Sequence, residues 1–171
     1  TGIESDHTII IEDGILNVDS GDDGINAVID VRINGGDITV NAAEDGIHSD
    51  DLVLIEGGDI FVETSSEGIE GYVIVINDGT INVNSTDDGI NGTAGGGQAH
   101  GQELYISDGG TMYINGGVIQ VNSVGDGVDV NGTIVMTGGY LLVFGSTTDM
   151  QSSIDFDAEF IISGGAVIAL G

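Results

Sequence analysis

Gly24-Ile25-Asn26-Ala27-Val28-Ile29-Asp30-Val31-Arg32-Ile33-Asn34-Gly35-Gly36-Asp37-Ile38-Thr39-Val40-Asn41-Ala42-Ala43-Glu44-Asp45 is one unit of a repeat. Within it, Ile29, Val31 and Ile33 alternate with Val28, Asp30 and Arg32, which is the two-residue period of a β-strand. Asn34-Gly35-Gly36 marks a turn. Ile38 and Val40 then alternate with Asp37, Thr39 and Asn41 as a second short strand. Ala42 to Asp45 turns again, and Gly46-Ile47 opens the next unit. No stretch shows the 3.6-residue spacing of an amphipathic helix.

Gly-Ile recurs at Gly2, Gly24, Gly46, Gly68 and Gly89, in steps of 22, 22, 22 and 21 residues; Gly127-Val128 and Ser153-Ile154 continue the series after 38 and 26. A short fixed period means one unit stacked on itself. Placed one above another, the units give inward columns. One is Leu16, Ile38, Ile60, Ile81, Ile119, Leu141 and Val167. A second is Val18, Val40, Val62, Val83, Val121, Val143 and Ala169. A third, before the turn, is Ile11, Ile33, Ile55, Ile76, Met136 and Ile162. Such columns predict an all-β, right-handed parallel β-helix of about seven coils, each ~22 residues long and ~4.8 Å above the last. A sandwich or up-and-down barrel would not repeat with same-sense columns. The 171 residues fit one domain, 1–171, with an insertion at about 93–108 and a polar excursion at Ser146 to Ser152. Gly95-Gly96-Gly97 in that insertion lacks the Lys and following helix of a phosphate cradle.

The charge is one-sided. Twenty-nine acidic residues face a single Arg, Arg32, for a net charge of −28. Nucleic acid and anionic membrane are excluded as partners. There is no Cys, so thiolate metal sites and thiol nucleophiles are excluded too. No apolar run is long enough to span a membrane. The chain begins at Thr1, as a mature or trimmed form would, and an exported bacterial protein acting outside the cell or at its surface is the expectation.

The acids gather around the repeated glycine: Gly21-Asp22-Asp23-Gly24-Ile25-Asn26, Glu44-Asp45-Gly46-Ile47-His48, Ser66-Glu67-Gly68-Ile69-Glu70, Thr86-Asp87-Asp88-Gly89-Ile90-Asn91 and Gly125-Asp126-Gly127-Val128-Asp129. One such turn would be a solvated Asp-Gly. Stacked in register at ~4.8 Å, the carboxylates repel by ~0.9 kcal/mol per pair in water and ~3.5 kcal/mol at an effective dielectric of 20. Hard divalent cations relieve that repulsion, and Ca²⁺ takes six to eight oxygens of this kind. The expected ligand sets lie between adjacent coils: Asp45, Glu67 and Glu70; Glu67, Asp87, Asp88 and Asn91; Asp88, Asp126 and Asp129. His48 in the same column is either a ligand or a turn residue, and three scattered histidines do not suit zinc. Alternation places Phe61, Tyr72, Tyr105 and Tyr113, with Tyr140 and Phe144, at outward or turn positions. Exposed rings of this kind can stack on sugars; outward Leu54, Val75, Val135 and Ile161 equally suit a packing face.

The runs Glu44-Asp45-Gly46-Ile47-His48-Ser49-Asp50, Ser66-Glu67-Gly68-Ile69-Glu70-Gly71 and Asp87-Asp88-Gly89-Ile90-Asn91 resemble the calcium-binding, cellulose- and pectin-binding β-helix family of clostridial carbohydrate-binding domains. Gly125-Asp126-Gly127-Val128-Asp129-Val130-Asn131-Gly132 resembles its other strong motif, with Val130 where Ser is expected. The resemblance covers about residues 24 to 145. It implies a right-handed parallel β-helix like that of pectate lyases, bound calcium, and non-catalytic binding of plant cell-wall polysaccharide, including cellulose and acidic polygalacturonate. The Asp-Asp-Gly cluster is similar to the calcium cluster of β-helix pectate lyases.

Two enzyme readings and one structural reading stand beside it. A pectate lyase needs calcium and a strong base; Lys is absent, and Arg32 lies two coils from the densest acids. A hydrolase of the polygalacturonase kind would use paired carboxylates, with Ala99-His100-Gly101 as a faint motif, but has no basic clamp for its substrate. A structural surface protein or adhesin would need neither.

Overall fold

The computed structural model describes residues 1–93, 110–146 and 150–171. The expected insertion, from residue 94 on, lies outside the described residues, as do Tyr105, His100 and part of the Ser146 to Ser152 excursion. Among the described residues every regular element is a β-strand. The first coil holds β1 (Ile3–Ser5), β2 (Thr8–Ile11) and β3 (Ile15–Ser20); the second holds β4 (Ile25–Ala27), β5 (Asp30–Ile33) and β6 (Asp37–Ala42). In the third and fourth the first two strands run together: β7 (Ile47–Ile55) and β8 (Asp59–Thr64), then β9 (Ile69–Ile76) and β10 (Thr80–Ser85). The fifth has β11 (Ile90–Gly92), β12 (Thr111–Ile114) and β13 (Val118–Ser123). The sixth has β14 (Val128–Val130), β15 (Thr133–Met136) and β16 (Tyr140–Phe144), and the seventh β17 (Ile154–Phe156), β18 (Phe160–Ile162) and β19 (Ala166–Leu170).

All pairings are parallel and join equivalent positions of adjacent coils. The first face is β1-β4-β7-β9-β11-β14-β17. The middle face is β2, β5, the second halves of β7 and β9, then β12, β15 and β18. The third face is β3-β6-β8-β10-β13-β16-β19. The chain is therefore a parallel β-solenoid of about seven turns of about 22 residues, as the repeat predicts.

The predicted inward columns are the core. Ile38, Ile60, Ile81, Ile119 and Leu141 are in register on the third face and essentially buried. Each such side chain contributes about 1.5–3 kcal/mol of apolar burial. The Ile33, Ile55, Ile76 and Met136 column gains one member absent from the sequence reading. Ile114 pairs with Ile76 below and Met136 above; the insertion had displaced it from the 22-residue count.

The first face differs more. Gly46-Ile47, read from sequence only as the opening of the next unit, leads into a strand whose isoleucines form a fourth inward column. Ile25, Ile47, Ile69, Ile90 and Val128 pair in register and are fully buried. The glycine before each is fixed by close approach: a Cβ at Gly46 would lie 2.6 Å from the Gly68 carbonyl oxygen and 2.6 Å from Val62 Cγ1.

The outward reading of Tyr72 is corrected. It is 8% exposed, at the bend between the first and middle faces. There β7 spans nine residues and β9 only eight, and the pairing shifts register between Ser49 and Leu52. The residue missing from the 21-residue step is lost at this corner. Gly71, Tyr72, Val73 and Ile74 are buried consecutively, and alternation no longer sets direction.

Candidate functional site

The strand that follows each repeated glycine carries its second residue outward, while the Ile before it is buried. That column reads Glu4, Asn26, His48, Glu70, Asn91, Asp129 and Asp155, each paired with the next. Beside it runs the residue preceding the glycine: Asp23, Asp45, Glu67, Asp88 and Asp126. Their backbones are held by a ladder in which Gly46 N–H donates to the Glu67 carbonyl (2.9 Å), Gly68 to Asp88 (3.1 Å) and Gly89 to Asp126 (2.9 Å). The fold thus fixes two parallel rows of acids and amides along one edge.

All eight residues expected as cation ligands lie in or directly beside these rows. Asp45, Glu67 and Glu70 meet between the third and fourth coils. Burial, reinforced by Glu67 and Asp45, pushes the Glu70 carboxyl up to about 9, and burial also raises Asp45. Hydrogen bonding with Glu67 and Asp45 adds to the rise at Glu70 by favouring its neutral form. One coil on, Asn91 Nδ2 donates to Glu67 Oε2 at 2.8 Å. Burial raises Asp88, and the charges of Asp87, Asp126 and Glu67 add to that. Asp88 Oδ1 in turn accepts the Asp126 N–H at 2.7 Å. Burial, with Asp88 and Asp126 nearby, lifts Asp129 to about 6. The cause is common to all: half-buried carboxylates packed against one another.

Two groupings go beyond the expected sets. His48 joins Asp45 and Glu70, with one ligand atom from each lying within 4.8 Å of the others. Asp22, Asp23 and Glu44 form a second such group lower on the edge. The signal for the second was in the sequence, since Asp22-Asp23-Gly24 repeats the spacing of Asp87-Asp88-Gly89. Chemically the donor set fits a hard, oxygen-seeking dication, which would hold several carboxylates ionised at once. His48 is the exception: its imidazole is a softer donor than calcium prefers, and its Nε2 lies 3.6 Å from Asp50 Oδ1.

Of the four rings expected to meet sugar, the three among the described residues do not come together. Phe61 is 38% exposed on the third face. Tyr113 projects from the middle face between Val75 and Val135 and is half-buried. Tyr72 is inside, and Tyr105 lies outside the described residues. Tyr140 and Phe144, at 59% and 39% exposed, share the third face with Phe61. Arg32 is occupied by its neighbour: its guanidinium donates to Asp30 Oδ2 from Nη2 at 2.8 Å and from Nε at 3.1 Å, on the middle face.

Comparison with curated proteins and with solved structures gives no match. The family model described as "Carbohydrate-binding domain-containing protein" matches residues 1–46 and 39–168, nearly the whole chain. This acidic β-solenoid belongs to that carbohydrate-binding domain family.

Proposed function

We propose that the chain is a non-catalytic module that binds plant cell-wall polysaccharide outside the cell, on a β-solenoid stabilised by several calcium ions. The family match supports the carbohydrate. The observation supporting the ions is the acidic edge, where Glu70 is driven up to about 9 and Asp129 to about 6 by burial and crowding. A group so perturbed opposes ionisation in the folded state, and a bound dication reverses that. Asp45, Glu67 and Glu70 would hold one ion, Glu67, Asp87, Asp88 and Asn91 a second, and Asp88, Asp126 and Asp129 a third. Calcium on this edge supplies positive charge that bridges protein carboxylates to uronates of an acidic polysaccharide, which the bare protein would repel.

The non-catalytic part rests on Arg32. Elimination from a uronate needs a base beside the cation. Arg32, the chain's sole Lys or Arg, is paired with Asp30 on the middle face, away from the acidic edge on the first.

The test is pull-down on polygalacturonate gel and insoluble cellulose with calcium and with excess chelator, with the supernatant assayed for products. Calcium-dependent retention on the gel without cleavage is the expected result. Absence of metal by elemental analysis and identical retention in chelator would refute the calcium part. Unsaturated product abolished by Arg32→Ala would make the protein a lyase.

A further inference from the structure

The corner between the middle and third faces is built from glycines, paired at Gly35-Gly36, Gly57-Gly58 and Gly116-Gly117 and preceded by Asp at Gly14 and Gly79. The glycine that closes each turn has a positive φ, from 103° to 111° at Gly36, Gly58 and Gly79 and 81° at Gly117. A side chain there is excluded twice over. The dihedral disfavours it, and a Cβ at Gly58 would lie 2.9 Å from the Gly36 carbonyl oxygen. Stacking therefore leaves a strip of bare backbone along the edge. That strip opens into a groove of about 500 Å³ running from Asp13 in the first coil to Val118 in the fifth. At ~4.8 Å per coil it is about 19 Å long, parallel to the solenoid axis. A second hollow of about 410 Å³ shares Asp37, Asp59 and Thr80 with it and extends it across the third face to Thr39, Phe61 and Asn82.

The lining differs in kind from the polar rows elsewhere. At the turn position two residues before each positive-φ glycine the side chains satisfy one another: Asn77 donates to Glu56 at 2.9 Å, Asn115 to Asn77 at 2.8 Å, and Thr137 to Asn115 at 2.8 Å. In the groove, the side chains of Asp37, Asp59, Thr80 and Asn82 make no hydrogen bond among the described residues. Phe61 stands exposed in the second hollow, on the third face. At its upper end Tyr140, 59% exposed, occupies the register position above Val118.

We infer that this groove is the seat of a neutral polysaccharide chain lying along the solenoid axis across several coils. The proposal rests on the carbohydrate-binding reading above and names a second surface, on a different face from the acidic edge. Phe61 offers a ring face to a pyranose. Asp37 and Asp59 accept hydrogen bonds from sugar hydroxyls, and Thr80 and Asn82 both donate and accept. A groove lined by four carboxylates, with Asp13 and Asp78 at its edge, repels a uronate chain, so the ligand is uncharged. Its binding needs no metal.

The test is pull-down on amorphous cellulose in excess chelator, with affinity electrophoresis in soluble neutral glucan as a second readout. Wild type is compared with Phe61→Ala, Asp59→Asn, the groove-blocking Thr80→Arg, and Ile10→Ala on the middle face as a control. All four positions are exposed, and a cooperative melt checks folding. Binding by wild type and the Ile10 variant, weakened roughly three- to tenfold by Phe61→Ala and abolished by Thr80→Arg, is the expected result. Equal binding by all variants overturns the groove while leaving a carbohydrate-binding module. Retention on polygalacturonate with calcium, but none on neutral glucan, does the same. If wild type binds neither polysaccharide under any condition, the carbohydrate reading falls and the groove with it.

Discussion

Two corners of the solenoid are made by the same operation and come out as opposites. At the edge beside Gly46, Gly68 and Gly89, each coil repeats a carboxylate. At the corner of Gly36, Gly58 and Gly79, each coil repeats the lack of a side chain. Repeating a charge accumulates a field: Asp45, Glu70, Asp88 and Asp129 are all raised, and burial is the leading cause in each. Repeating a vacancy accumulates space, the groove of about 500 Å³. The first corner crowds like charges together. The second is fully satisfied as backbone and merely open. In a stacked fold, whatever one coil can barely tolerate or barely offers becomes a property of the whole edge.

The contrast breaks most violently under Gly58→Val. A β-branched residue at φ 105° also meets the Gly36 carbonyl, and a loss of about 3 kcal/mol or more is expected in chemical denaturation, with or without calcium. A loss within about 0.5 kcal/mol would show that the glycine corner has freedom the geometry denies it.

The acidic edge should respond in the other direction, and only through protons and metal. Glu70 has a folded-state value of about 9 against an ordinary 4.5. Between those values the folded state holds a proton that the unfolded state has released, so stability falls as pH rises. Metal-free protein is therefore expected to melt higher at pH 5 than at pH 8. Asp129, at about 6, confines its share to the lower part of that range. Glu70→Gln should flatten the drop and raise the pH 8 melting temperature in chelator, yet lower it in calcium, since a ligand bound only to the folded state stabilises by mass action. A pH-independent melting curve in chelator would remove the crowding argument.

The smallest effect separates two positions within the edge. Asp88 accepts the Asp126 N–H, neighbours Glu67 and Asp129, and belongs to two proposed ion sites, whereas Asp22 belongs to neither. In calcium, Asp88→Ala should lower the melting temperature further than Asp22→Ala. Equal shifts would mean that the edge acts as a diffuse field rather than as discrete sites.

The two corners were not equally legible in the sequence. Inward columns such as Ile38-Ile60-Ile81 could be read because alternation and period reinforce each other. The acidic edge could be read because a repeated side chain is itself a signal. The strand begun by Gly46-Ile47, read only as the opening of a unit, was not assigned, since its counterpart β4 (Ile25–Ala27) is three residues long and too short to show an alternation. Tyr72 was misdirected because alternation holds along a strand and fails across a corner. The groove was invisible for a different reason. Asn34-Gly35-Gly36 reads as a turn, and nothing in a glycine says that the side chains of Asp37 and Thr80 find no hydrogen-bond partner among the described residues.

The one-residue deficit at Tyr72 has a consequence for how such a chain can lengthen. Above and below it, Ile69 still pairs with Ile47 and Ile76 with Ile55. Past residues 94–109, Thr111 takes up its pairing with Val73. The faces act as a ruled grid and the corners as slack, so gains and losses of sequence are absorbed where strands meet and are not passed on to the next line. Such a chain can be edited locally or extended by copying a whole coil, with each copy inheriting both the charge of one corner and the emptiness of the other.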